Sequence, residues 1–190
     1  MQNQKFQNKY RIETTRLNGF NYSSDNTYFI TICVKDKQRY FGKIIEEKMR
    51  LSEVGKIAQK LWSEIPNHFP FVELDEFSIM PNHIHGILTI NKQQHCNDNN
   101  CRDAINRVST RDGGITGKFN PMLNSASLPK IIRWFKGRAT FEIRKCLDNN
   151  FQWQSRFYDR IIRNQNEMDK IRKYIFANPT TEKENFLWEK

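Results

Sequence analysis

The stretch FSIMPNHIHGILTI, residues 77–90, is the one from which the rest of the chain is best read. Successive side chains of a strand point to opposite faces, so His83 and His85 share one face while Ile84 shares the other with Asn82. Pro81-Asn82 suits a turn, which makes residues 71–80 and 83–90 the two arms of a hairpin, with the histidines opening the second arm. Two imidazoles side by side are most of a metal site. They are equally at home as polar positions on a half-exposed strand, and the context has to choose.

Outward toward the N-terminus, residues 28–34 (YFITICV) are β-branched and aromatic and apolar on both faces. That is the pattern of a central strand buried on both sides. Residues 41–49 suggest a short hairpin. Ser52 is an N-cap candidate for a helix with Val54, Ile57, Ala58, Leu61, Trp62 and Ile65 on one stripe, ending near Pro66. Residues 1–27 read as a polar, basic arm carrying Lys5, Lys9, Arg11 and Arg16.

Toward the C-terminus, residues 91–127 turn to Asn, Asp, Gln, Gly and Arg and read as a polar insertion. His95, Cys96 and Cys101 there invite a zinc reading but lack a fourth ligand nearby. The run GGITGK lacks the first glycine and the final Ser or Thr of a phosphate-binding loop, having Asp112 and Phe119 in those positions. Residues 128–147 (LPKIIRWFKGRATFEIRKCL) form a second helix with Ile131, Ile132, Phe135, Ala139, Ile143 and Leu147 as its buried stripe. Lys130, Arg133, Lys136, Arg138, Arg144 and Lys145 fill much of the remainder against the single acid Glu142. Such a surface is either simply solvated or faces phosphates. Residues 151–163 are a last extended segment. Asn164 and Glu167 open a final helix in a capping-box-like pattern, with Met168, Ile171 and Ile175 inward and a stop near Asn178-Pro179.

The order strand, helix, strand, strand, helix, strand, helix predicts an α+β fold. It is a ferredoxin-like split βαβ, an antiparallel sheet with helices on one face, plus a C-terminal helix. A single domain over residues 28–180, interrupted by the insertion and followed by a tail at 181–190, fits the length of 190 residues.

Composition narrows the function. With 31 Lys and Arg against 21 Asp and Glu, the formal net charge is +10, which favours a polyanionic partner, nucleic acid first. Fourteen Phe, six Tyr and four Trp interleave with those cations, as single-stranded nucleic acid requires for stacking. Trp134, Trp153 and Phe157 are the candidate stacking residues. The four cysteines, in a chain whose first residues have no apolar signal core, predict a reduced, cytoplasmic protein. No apolar run is long enough to cross a membrane.

On the last helix, Tyr174 and Asn178 are four residues apart and share a face. Tyrosine is a possible nucleophile and asparagine a neutral oxygen ligand, although packing and C-capping are the commoner roles. Taken together, PNHIHG at a strand, WQSRFYDRIIRN, and a helix ending KYIFANP resemble the REP-associated tyrosine transposases. These belong to the HUH superfamily of single-strand DNA nucleases and transposases. The resemblance runs from about residue 28 to 179 and rests on three ordered motifs.

The resemblance implies that His83 and His85 hold a divalent metal, Mg2+ or Mn2+, with Asn178 as a third ligand. It implies that Tyr174 attacks a DNA phosphate to give a phosphotyrosine. The expected partner is single-stranded or hairpin DNA, contacted by Lys130, Arg133, Lys136, Arg138, Arg163, Lys170 and Lys173. Lys170 and Lys173 are also expected to favour the phenolate. Relatives include both monomers and homodimers. Other H-x-H enzymes fit less well: a histidine-triad hydrolase needs a third histidine at Ile87, and a metallo-β-lactamase type site needs Asp and His at Ile87 and Leu88. The rivals are a hairpin-binding regulator that is catalytically idle and a metal-dependent hydrolase in which Tyr174 only packs.

Overall fold

A computed structural model of the chain describes residues 20–92, 127–147 and 150–178. Its central strand is β1 (Asn26–Cys33), buried along most of its length as the apolar run predicts. Both neighbours are antiparallel: β5 (His83–Ile90) on one side and β6 (Tyr158–Ile162) on the other, with β4 (Val72–Ile79) outside β5. The order β4-β5-β1-β6, with α1 (Glu53–Ser63) between β1 and β4 and α3 (Leu128–Cys146) between β5 and β6, is the ferredoxin-like arrangement. A small hairpin, β2 (Gly42–Ile45) and β3 (Lys48–Leu51), precedes α1, and the short α2 (Ile65–His68) follows it. The chain closes with α4 (Gln165–Ala177).

The sheet is buried on both faces by different partners. Ile30, Ile32, Ile84, Leu88 and Ile90 pack with α1 and α3 residues such as Trp62 and Phe135 in the main core. On the opposite face Phe29, Ile87 and Ile162 meet Ile171 and Ile175 of α4 in a smaller cluster. Two helices therefore cover one face, as expected, and the C-terminal helix covers the other. Gly86 shows how tight the helical side is. A Cβ there would lie 2.3 Å from Cζ2 of Trp62, a side chain with no exposed surface. The glycine that follows the two histidines is thus required by the layer behind them.

Local departures have local reasons. Pro66 does not end α1 but sits in the first turn of α2, where its missing N–H is not needed. Only Tyr158–Ile162 of the expected last strand joins the sheet, because the ladder with β1 ends at Thr31 opposite Tyr158. Residues before it cross the end of β1 as a strap, bridging Val34 to Trp153 and hydrogen-bonding Lys35 N–H to Gln152 O at 2.9 Å. The basic arm as far as residue 19, the C-terminal tail and residues 93–126, with His95, Cys96, Cys101 and GGITGK, lie outside the described residues. Among the described residues no helix is long and apolar enough to cross a membrane.

Candidate active site

The antiparallel register sets Thr31 opposite His85 and Cys33 opposite His83. All four side chains alternate onto the α4 face of the sheet. His85 is buried, with Nδ1 2.8 Å from the Thr31 hydroxyl. Nδ1 of His83 lies 2.6 Å from Oδ1 of Asn82. An amide oxygen only accepts, so His83 carries its proton on Nδ1 and presents a bare Nε2. Such outer partners fix tautomer and ring angle in metal-binding histidines. The two Nε2 atoms are 3.0 Å apart, the spacing of two neighbouring ligands each about 2.1 Å from one ion. Lone pairs facing each other at that distance repel unless a proton or a cation lies between them.

α4 brings the second half of the site. Asn164 caps it by accepting from Glu167 N–H at 2.9 Å, and the Glu167 carboxylate accepts from Arg163 N–H at 3.1 Å and pairs with Arg160 at 2.7 Å. Ile171 and Ile175 anchor it on the sheet, and Arg172 clamps it sideways to the edge strand, with Nε 3.0 Å and Nη2 2.5 Å from the two carboxylate oxygens of Asp75. Asp75 sits where the β4 ladder slips between Leu74 and Phe77. So held, Tyr174 places its hydroxyl 3.4 Å from Nε2 of His85, its ring edge-on to those of His85 and Phe29.

One turn on, Asn178 is only 6% exposed, and its Nδ2 is buried without a partner in hydrogen-bonding geometry. A half-turn of the carboxamide exchanges nitrogen and oxygen, so this unsatisfied end can present an oxygen to a cation. Among the described residues no third His, Cys, Asp or Glu joins the histidine pair. Two imidazole nitrogens and one neutral carboxamide oxygen are donors of a kind that a divalent ion accepts.

Burial, and then the neighbouring His83, holds His85 well below the usual histidine range, so its imidazole is neutral and able to act as a ligand. Burial raises the Tyr174 phenol, and the nearby Asn178 amide works against that rise. The expectation that Lys170 and Lys173 promote the phenolate is corrected: both are exposed on α4, and loss of solvent around the phenol decides the direction.

Arg163, Lys170 and Lys173 are exposed on the α4 side. Lys130, Arg133, Lys136 and Arg138 belong to α3, across the sheet from the histidine pair. Lys136 is engaged within the fold. It donates to Gln154 O at 2.5 Å and Arg156 O at 3.3 Å, tying the strap to α3, and burial pulls its ammonium down to about 8. Arg138 is paired with Glu142 at 3.0 Å. The stacking candidates also go elsewhere: Trp153 and Phe157 pack on the main core, and Trp134 stacks on His68 at 4.5 Å. Thr31, Asn82, Asp75 and Arg172 were not singled out from the sequence. The one aliphatic hydroxyl in YFITICV was the available signal for Thr31, whereas nothing local joins Asp75 to Arg172.

No family model matches the chain. It is 36% identical over 174 residues to an uncharacterized protein of Haemophilus influenzae, covering 92% of this chain and 88% of that one. Among solved structures, a REP-associated tyrosine transposase bound to a REP hairpin superposes with a TM-score of 0.51 at 18% identity. The match covers 81% of this chain and spans 66% of that chain's length, and at this identity it shows a shared fold. A Deinococcus radiodurans protein described as a candidate transposase is more distant, with a TM-score of 0.44 at 13% identity over 85% of this chain and 96% of that one.

Proposed function

The chain belongs to one family with the uncharacterized Haemophilus influenzae protein, and we propose that it is a metal-dependent single-strand DNA transposase or nickase that cuts and rejoins DNA at hairpin or repeat sequences. The observation that carries this reading is the convergence of Tyr174, from α4, on the paired Nε2 atoms of His83 and His85, from β5. The hairpin-bound transposase with the same fold supports DNA as the partner.

In this reading His83 and His85, with the Asn178 oxygen, hold Mg2+ or Mn2+, whose chemistry there is to neutralise the phosphate and the charge on the leaving oxygen. Thr31 and Asn82 keep both imidazoles turned inward. Tyr174 gives up its phenolic proton and its oxygen attacks phosphorus in line. A bond forms from phosphorus to the tyrosine oxygen, the bond to the 3′ oxygen breaks, and that oxygen takes up a proton. The phosphotyrosine retains the energy of the broken ester, so a 3′ hydroxyl can later displace Tyr174 and rejoin the strand without another energy source. Burial makes the neutral phenol the resting form, and Asn178 is the neighbour that favours the anion.

The test is incubation with a single-stranded hairpin DNA and Mg2+ or Mn2+, then a denaturing gel and peptide mass mapping. A nucleotide-bearing peptide containing Tyr174 is expected. Cleavage with no adduct would point to a hydrolase, and tight hairpin binding with no cleavage to an idle regulator.

A further inference from the structure

The outward face of α3 has no part in the site just described. Its buried side turns Ile131, Phe135, Ala139 and Ile143 to the main core. Steps of three and four residues then bring Lys130, Arg133, Gly137, Phe141 and Arg144 together on the opposite, solvent-facing side. Among the described residues no acid stands on that side. Glu142 lies on the flank, occupied by Arg138 and Lys145 at 3.0 Å each. Arg144 spends two donors on Phe151 O, at 3.2 Å each, and keeps the rest of its guanidinium for another acceptor.

Two features separate this face from an ordinary solvated one. Phe141 is 56% exposed with the Lys145 ammonium 4.3 Å from its ring centre, an apolar plate inside a cationic rim. Gly137 lies mid-helix, and among the described residues a Cβ built there would meet nothing within 4 Å. Glycine weakens a helix relative to alanine, and no neighbour among the described residues demands it. Bare backbone at that point lets a flat partner come close.

We propose that this face of α3 is a second docking surface for single-stranded nucleic acid, with Lys130, Arg133 and Arg144 on phosphates, a base stacked on Phe141, and the chain passing over Gly137. The proposal rests on the nucleic-acid reading above and extends it. Cations that follow a backbone beside an exposed aromatic are the elements of sequence-tolerant single-strand binding. Because the sheet separates α3 from α4, a strand seated at Tyr174 reaches this surface only by passing around the sheet edge. The α3 face therefore holds a different portion of the substrate from the one that is cut.

The experiment is fluorescence anisotropy of the full chain with labelled dT30 across a salt series. Arg133→Glu with Phe141→Ala on α3, and Lys170→Glu with Lys173→Glu on α4, are compared alone and combined. Each pair is expected to weaken binding at least fivefold, with the combined loss equal to the product, as for independent surfaces. Gly137→Leu should leave Tm unchanged or raised and still weaken dT30, which a merely structural glycine would not do. Wild-type protein should prefer dT30 to poly-glutamate of equal charge, and Phe141→Ala should lose that preference. Binding within twofold of wild type in the α3 pair, with the α4 pair impaired, would overturn this surface and leave the proposed function standing. Absence of dT30 binding by the wild-type protein would overturn both, and equal competition by poly-glutamate would assign the face to acidic partners instead.

Discussion

Tyr174 and His85 stand far apart in the chain, yet the hydroxyl of one lies 3.4 Å from Nε2 of the other. The same Nε2 is 3.0 Å from that of His83, so the phenol and the two imidazoles share one small volume. Tyr174→Phe keeps the ring that packs on Phe29 and removes only the oxygen. It should fold and bind hairpin DNA within about twofold of wild type and yield no protein–DNA adduct on a denaturing gel. Tyr158→Phe, in β6 opposite Thr31, should retain the adduct.

His83→Ala and His85→Ala should each reduce cleavage at least about a hundredfold while hairpin affinity stays largely intact. Thr31→Val removes the hydroxyl at His85 Nδ1 without removing a ligand, and should weaken metal binding by about 10–100-fold. Titration calorimetry with Mn2+ reads this directly. Full cleavage in excess chelator would end the metal argument.

Gly86→Ala places a methyl group against Trp62, which is fully buried. Overpacking of this kind costs about 1–3 kcal/mol, to be read from the urea midpoint. An unaltered midpoint would mean that the helical layer yields more easily than its packing indicates.

The β2–β3 turn holds Glu46 and Glu47 at φ of 50° and 59°, a left-handed conformation that side chains of this kind rarely adopt. Replacing the pair by Asn-Gly, which suits such a hairpin turn, should stabilise the protein by about 1 kcal/mol. A thermal melt with no rise in Tm would contradict this.

The Arg172 guanidinium holds the Asp75 carboxyl below its ordinary value of 3.8. A depressed carboxyl contributes stability that is complete above its unfolded value and is lost as pH falls through the lower folded one. Asp75→Asn should therefore lower Tm equally at pH 7 and pH 5, and the gap from wild type should close below about pH 4. A gap that persists into strong acid would show that the charge of Asp75 is not what holds α4 to β4.

Local periodicity was enough to read most of the framework. Alternation in residues 83–90 put His83 and His85 on one face, the unbroken apolar run at 28–34 identified a strand covered twice, and the helical repeat set Tyr174 one turn from Asn178. Each is a property of a few consecutive residues, because strand and helix geometry repeat over short distances. Tertiary packing alone decided that α4 lies across the sheet from α1 and α3, where Tyr174 meets His85 and the α3 cations cannot. It also decided that Lys136 turns inward to the carbonyls of Gln154 and Arg156, and that the Tyr174 phenol is raised rather than lowered. A charge or hydroxyl takes its properties from whatever removes its water, and here those neighbours come from strands and helices tens of residues away.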